Sequence, residues 1–148
     1  VTFAKLRAIL RRHKRQQGLE CVVIDYLQIC RIPGNKPGER QLEVSEVSKS
    51  LKQLSKELEV PIVALAQLSR EAEGAKPTIA HLRESGSIEM DADVVVLLHG
   101  ERNSSELIAD VAKNRHGKTG EVKLSFIRAK FRIELLTTWK SEAIYDGR

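Results

Sequence analysis

Three short apolar runs constrain this chain more than anything else in its 148 residues: Cys21-Val-Val-Ile-Asp25, Pro61-Ile-Val-Ala-Leu-Ala66 and Asp93-Val-Val-Val-Leu-Leu98. A strand that is apolar toward both sides belongs inside a sheet covered on both faces, and that is the condition of parallel strands. Between the runs the period changes from two to about 3.6. Phe3, Leu6 and Leu10 predict an amphipathic helix over 3–17 that leads through Gly18 into a strand over 21–27. Val47, Leu51, Leu54 and Leu58 step by four, three and four, which places one apolar stripe on a helix over 41–58. Residues 31–38 hold two prolines and two glycines and form a loop, and residues 69–77 form a polar one. Thr78 is a suitable cap for a short helix ending near Ser85-Gly86. Beyond the polar stretch 99–105, strands are expected over 107–112 and 121–127 around the loop 113–120, with one more over 131–136. The order describes an α/β fold with a parallel core and a C-terminal antiparallel extension. No period organises 137–148, which we take as a tail to a domain of residues 1–136.

In a sheet of this kind ligands sit beyond the carboxyl ends of the strands, and Asp25, Gln67 and the residues after Leu98 fall there. An apolar strand that delivers a carboxylate to this edge is suited to holding the magnesium of a bound nucleotide. A turn-capping Asp is an equal reading of Asp25 taken alone. Gln67 ends the second run and can bring an uncharged amide to the same edge, as a sensor of a γ-phosphate would. The phosphate-cradling Gly-x-x-x-x-Gly-Lys-Ser/Thr loop is missing from the 148 residues. The Gly-Lys-Thr at 117–119 has Ala112 in place of the first glycine and runs into the alternating strand Glu121–Phe126. A phosphate loop needs a helix N-terminus at that point. The absence of this loop, and an opening at Val1 rather than methionine, lead us to expect a piece of a longer polypeptide.

Two further clusters carry cations. Arg115 lies in a loop with Lys113, Asn114, His116, Gly117 and Gly120, where a rigid guanidinium can reach a phosphate on a neighbouring molecule or simply sit in solvent. Arg83, Ser85, Gly86 and Ser87 combine a charge, hydroxyls and accessible N–H groups suited to a phosphodiester backbone. A helix C-cap accounts equally well for Gly86. The net charge of +5 is concentrated early, with Lys5, Arg7, Arg11, Arg12, Lys14 and Arg15 all preceding Glu20. That run favours polyanions but is read first as one solvated helix face. Aromatic residues are only 4% of the chain, so base stacking is not the expected means of binding nucleic acid. Cys21 and Cys30 lack metal-ligand spacing and are read as reduced thiols of a cytoplasmic protein. No apolar stretch has the length of a membrane span, so no membrane partner is expected.

Taken in order, five segments closely resemble the C-terminal motor domain of the DnaB-type replicative DNA helicases. They are Val23-Ile-Asp-Tyr-Leu-Gln28, Leu51–Leu58, Val60–Arg70, Leu82-Arg-Glu-Ser-Gly-Ser-Ile-Glu-Met-Asp-Ala-Asp93 and Lys113-Asn-Arg-His-Gly-Lys-Thr-Gly120. The resemblance runs from about residue 3 to Phe131 and implies a RecA-like P-loop NTPase core. It also implies a homo-hexamer that encircles single-stranded DNA and uses ATP and Mg2+, with primase and a helicase loader as further partners. By the same resemblance Asp25 corresponds to the magnesium-coordinating aspartate and Gln67 to the nucleotide-sensing glutamine. Arg115 corresponds to an arginine finger supplied to the adjacent subunit's ATP, with Lys113 as its companion. Arg83, Glu84 and Gly86 fall in the loop that grips DNA in the central channel. The chain departs from the family at Met90, where glutamine is usual, at His81, where aspartate is usual, and in a shortened loop at 70–77. The segments with the P-loop and the catalytic glutamate would precede Val1. A second reading is a truncated paralogue that binds DNA or joins a helicase ring without hydrolysing ATP.

Overall fold

The computed structural model describes residues 2–30, 32, 40–82, 86–101 and 103–136. The chain divides into two compact units, one of residues 1–71 and 80–92 and one of residues 72–79 and 93–148.

The first unit opens with helix α1, Phe3–Gln17, which ends at Gly18 in a positive-φ conformation (φ 80°, ψ 163°) whose N–H donates to the Lys14 carbonyl. Only glycine reaches that geometry without a Cβ penalty, so Gly18 turns the chain toward strand β1, Val22–Ile24. Helix α2, Arg40–Leu58, then carries the chain back to strand β2, Ile62–Ala64. The two strands pair in parallel, Val22 with Ile62, Val23 with Val63 and Ile24 with Ala64. A parallel pair needs such a crossover, and α2 provides it. The predicted stripe of α2 is the core: Val44, Val47, Leu51, Leu54 and Leu58 are buried, together with Val22, Ile24, Leu27, Cys30 and Val60.

The basic face of α1 is largely exposed, as expected, and it is also partnered. Arg7 donates to Glu57 of α2 at 2.6 and 3.1 Å, Arg11 donates to the other oxygen of the same carboxylate, and the Lys14 ammonium donates to the Leu58 carbonyl. These three cations meet the C-terminal end of α2, where unsatisfied carbonyls and the helix dipole favour positive charge.

Strand β1 is shorter than expected. After Ile24 the chain leaves the ladder and forms a 3-10 turn over Leu27–Ile29, held by the Leu27 N–H on the Leu65 carbonyl at 2.8 Å. The short helix also differs from expectation. Ile79–His81 makes a single 3-10 turn, Leu82 bridges to Leu68, and helix α3 runs Gly86–Asp91, so Gly86 begins a helix instead of closing one. Ile88 is the residue of α3 that is buried.

The second unit is a four-stranded antiparallel meander of β3 (Val94–His99), β4 (Glu106–Asn114), β5 (Gly120–Ile127) and β6 (Arg132–Leu135). The third apolar run thus hydrogen-bonds in the antiparallel extension, and parallel pairing among the described residues is confined to β1 and β2. Neither β2 nor β3 is buried on both faces. Val95 and Leu97 are buried while Val94, Val96 and Leu98 are exposed, and in the first unit Val23, Val63 and Leu65 are exposed as well. In the first unit α2 supplies more of the buried apolar side chains than any other element. The open face of the antiparallel sheet is apolar from strand to strand, with Val96 opposite Val111, Leu107 opposite Leu124 and Phe126 opposite Ile133.

Candidate functional site

The parallel register decides what stands at the carboxyl edge of the first unit. Ile24 and Ala64 are the last paired residues, and the Leu65 N–H donates to the Ile24 carbonyl at 2.9 Å. Asp25 therefore emerges as the ladder ends, beside Leu65, and its side chain is exposed. The Asp25–Tyr26 peptide is cis. Gln67 lies three residues beyond β2 and is also exposed. Asp25 and Gln67 thus both follow the carboxyl ends of one parallel pair, whereas the residues after Leu98, read to the same edge, belong to the antiparallel sheet of the second unit.

The other cationic candidates belong to the second unit. Between Val95 and Val96 the β3–β4 register slips, because Val95 pairs with Lys113 and Val96 with Val111, leaving Ala112 as an inserted residue. A bulge of this kind bends and twists its strand and re-aims the residues beyond it. Lys113 consequently lies on β4, opposite Val95 and half-buried, rather than in the loop where the sequence placed it. Arg115 is the first residue beyond β4. Its N–H donates to the Asp93 carbonyl at 2.8 Å, and its guanidinium Nη1 meets the Asp93 carboxylate at 3.1 Å.

The turn between β4 and β5 is compact. Asn114 Nδ2 donates to the Lys118 carbonyl at 3.2 Å, and the His116 N–H donates to Asn114 Oδ1 at 3.3 Å. A Cβ on Gly117 would stand 2.6 Å from Asn114 Nδ2, so a larger residue there would displace the folded-back Asn114 amide. The tip is thus shaped by its own side chains, and Arg115 leaves it at a defined point. Sequence reasoning missed Asp93 as the partner of Arg115. An acid opening an apolar strand was a visible signal, but only the pairing register brings positions 93 and 115 together.

Of the candidates for contact with a phosphodiester backbone, Arg83 and Glu84 lie outside the described residues. Gly86 is the first residue of α3, and a Cβ there would meet nothing within 4 Å, so neither space nor backbone conformation demands glycine.

A further charged group occupies one face of the antiparallel sheet. Asp110 and Glu121 face each other across β4 and β5, and with His99 their ligand atoms lie within 4.8 Å of one another. The Lys76 ammonium bonds both carboxylates, at 2.5 Å to Glu121 and 3.1 Å to Asp110. Those hydrogen bonds, the one to Glu121 first, raise the Lys76 pKa above its ordinary value. Two like charges directly opposite each other would repel, and the lysine offsets part of that repulsion while fastening its own segment to the sheet.

Comparison with known proteins identifies the family. The DnaB-like helicase C-terminal domain family matches residues 1–134. The replicative DNA helicase DnaB of Geobacillus stearothermophilus is 44% identical over 140 residues, covering 86% of this chain and 30% of that protein. The replicative DNA helicase DnaB of Leifsonia xyli is 48% identical over 136 residues, covering 85% of this chain and 30% of that protein. Among solved structures, one described as an ATPase domain superposes with a TM-score of 0.81 at 32% identity, over 90% of this chain and 51% of the other. A DnaB-like replicative helicase described with its interactions with primase superposes with a TM-score of 0.75 at 34% identity, over 84% of this chain and 33% of the other. The chain therefore spans about 30% of the length of the two helicases from Geobacillus and Leifsonia. With a match that runs from residue 1 to residue 134, the chain belongs to the DnaB-like helicase C-terminal domain family.

Proposed function

We propose that this chain is the C-terminal part of the motor of a replicative DNA helicase, which couples ATP hydrolysis to translocation on single-stranded DNA and to duplex unwinding. Residues 1–136 make up a partial RecA-like domain and 137–148 its tail. The observation that carries the reading is the family match over residues 1–134, combined with an exposed Asp25 at the carboxyl edge of a parallel strand pair. Magnesium bound with a nucleotide usually keeps several waters and takes one or two carboxylates beside phosphate oxygens, so a single exposed aspartate is a suitable donor. Asp25 would hold that ion, and Gln67, on the same edge, would report on the terminal phosphate. A phosphate-cradling loop is not among the 148 residues, so this chain contributes the edge of the nucleotide site and not its cradle.

Arg115 and Lys113 act on the ATP of an adjacent subunit. Hydrolysis then needs charge placed across an interface, which a homo-hexameric ring supplies. Arg83, Glu84 and Gly86 contact the DNA backbone in the channel. Primase, which one solved relative was studied with, and a helicase loader are partners of the longer protein. No described helix is long and apolar enough to cross a membrane, and a cytoplasmic location accords with the proposed role.

The test is ATP hydrolysis by the full-length protein that carries this chain, with and without single-stranded DNA, under conditions where it forms rings. DNA-stimulated turnover is expected, with Arg115→Ala abolishing it while leaving nucleotide binding largely in place. Rings that hydrolyse no ATP would end this reading, and turnover that persists in Arg115→Ala would remove the finger assignment.

A further inference from the structure

We propose that Asp93 is the positioning residue for Arg115, fixing where the guanidinium leaves the hairpin so that it meets a neighbouring subunit's phosphate already oriented. The proposal rests on the reading of Arg115 given above and adds a residue to it.

Asp93 holds Arg115 at two levels. Its carbonyl accepts the Arg115 N–H at 2.8 Å, which extends the β3–β4 ladder past Val94 and Asn114. Its carboxylate accepts Nη1 of the guanidinium at 3.1 Å, which selects one orientation of a long side chain. A guanidinium has five N–H donors in a rigid fork, so a contact with Asp93 through Nη1 orients the plane of the whole group. The inserted residue Ala112 lies just before this point, so the twist of the bulge and the grip of Asp93 together set the direction in which Arg115 leaves the strand.

The pair is worth little as a fold-stabilising contact. Arg115 and Asp93 side chains are 46% and 45% exposed, and an ion pair this wet contributes little to folding. Its value lies in geometry. The contribution of an arginine finger to turnover is large, and small displacements of a catalytic group cost much of it. A lone arginine would lose rotamer entropy on each encounter with a phosphate, and Asp93 removes part of that cost in advance.

The experiment uses the full-length protein carrying this chain, assembled on single-stranded DNA, with Asp93→Asn, Asp93→Glu and Arg115→Ala compared. Asparagine keeps the main-chain bond and the side-chain shape but loses the charge, so it isolates the ion pair. Asp93→Asn is expected to lower kcat about tenfold, with KM for ATP and the melting temperature nearly unchanged. Asp93→Glu, which restores the carboxylate, is expected to recover most of that loss. Wild-type kcat in Asp93→Asn, or equal damage in Asp93→Glu, would overturn the positioning role, as would a loss that tracks a fall in melting temperature. Should Arg115→Ala itself retain turnover, the reading of Arg115 fails and the role of Asp93 fails with it. If Arg115→Ala is inactive while Asp93→Asn is normal, only the present inference fails.

Discussion

Val95 and Val96 are neighbours on β3, yet one is 7% exposed and the other 49%, so the same substitution at each measures what one face of the sheet is worth. Val→Ala removes two methyl carbons. At about 0.8 kcal/mol per buried carbon, the transfer loss is about 1.5 kcal/mol at Val95 and about half that at Val96. The space left at Val95 is enclosed and adds a cavity cost of roughly 0.5–1 kcal/mol, whereas at Val96 solvent fills the gap. Strand and substitution are the same in both variants, so the difference between them reads the packing of the two faces. The expected difference is therefore roughly 1–2 kcal/mol. Urea unfolding followed by far-ultraviolet circular dichroism reads it directly. With a slope of about 2 kcal/mol per molar urea, Val95→Ala should move the midpoint down by about 1 M and Val96→Ala by about 0.4 M. Equal shifts would mean that both faces of β3 are covered alike, and the reasoning from an open apolar face would be wrong.

Three other outcomes are tied to particular groups. Arg83→Ala in the full-length protein should weaken single-stranded DNA binding and reduce its salt slope by about 0.7, the value for one phosphate contact; an unchanged slope removes Arg83 from the DNA site. Hydrogen bonds from Arg11 and then Arg7 hold the Glu57 carboxyl below the ordinary glutamate range, so the link between α1 and α2 is whole above that range. It is lost as pH falls through the lowered folded value, and amide exchange in α1 should accelerate there, with Glu57→Gln removing the pH dependence. Exchange in α1 that ignores both changes would refute the link. Cys21 is exposed, while Cys30 is buried and its thiol pKa is raised by that burial, so iodoacetamide at neutral pH should label Cys21 and reach Cys30 only after urea is added. Equal labelling of both in the native protein would contradict the burial of Cys30.

Much of this protein is present in local patterns. The stripe Val47, Leu51, Leu54 and Leu58 predicts α2 and its core face, because helix amphipathicity is a property of consecutive residues. The spacing of Phe3, Leu6 and Leu10, with glycine after the last turn, predicts α1 for the same reason. Asp25 and Gln67 are legible as edge residues because each directly follows an apolar run, and strand ends lie near where such runs end. The placement of the short helix was not legible. Thr78 has cap chemistry and Gly86 has C-cap chemistry, yet the helix starts at Gly86, because the bridge between Leu68 and Leu82 uses the chain that the expected helix needed.

What the amino-acid sequence determined by itself is what periodicity and motif spacing encode: the α/β class, the two long helices, the family and the carboxylate at a strand end. What only the tertiary structure decided depends on pairing between distant residues. An apolar run states that a strand has two apolar faces but not whether a second layer is there to cover them, so the exposure of Val23, Val63 and Val96 came from packing. Register is likewise a relation between strands: a single inserted residue, Ala112, puts Lys113 on β4, and the same ladder brings Asp93 to Arg115 across 22 positions of sequence. A charge partner chosen by strand register cannot be read along one chain, since the free energy that selects it belongs to the whole ladder and not to either residue.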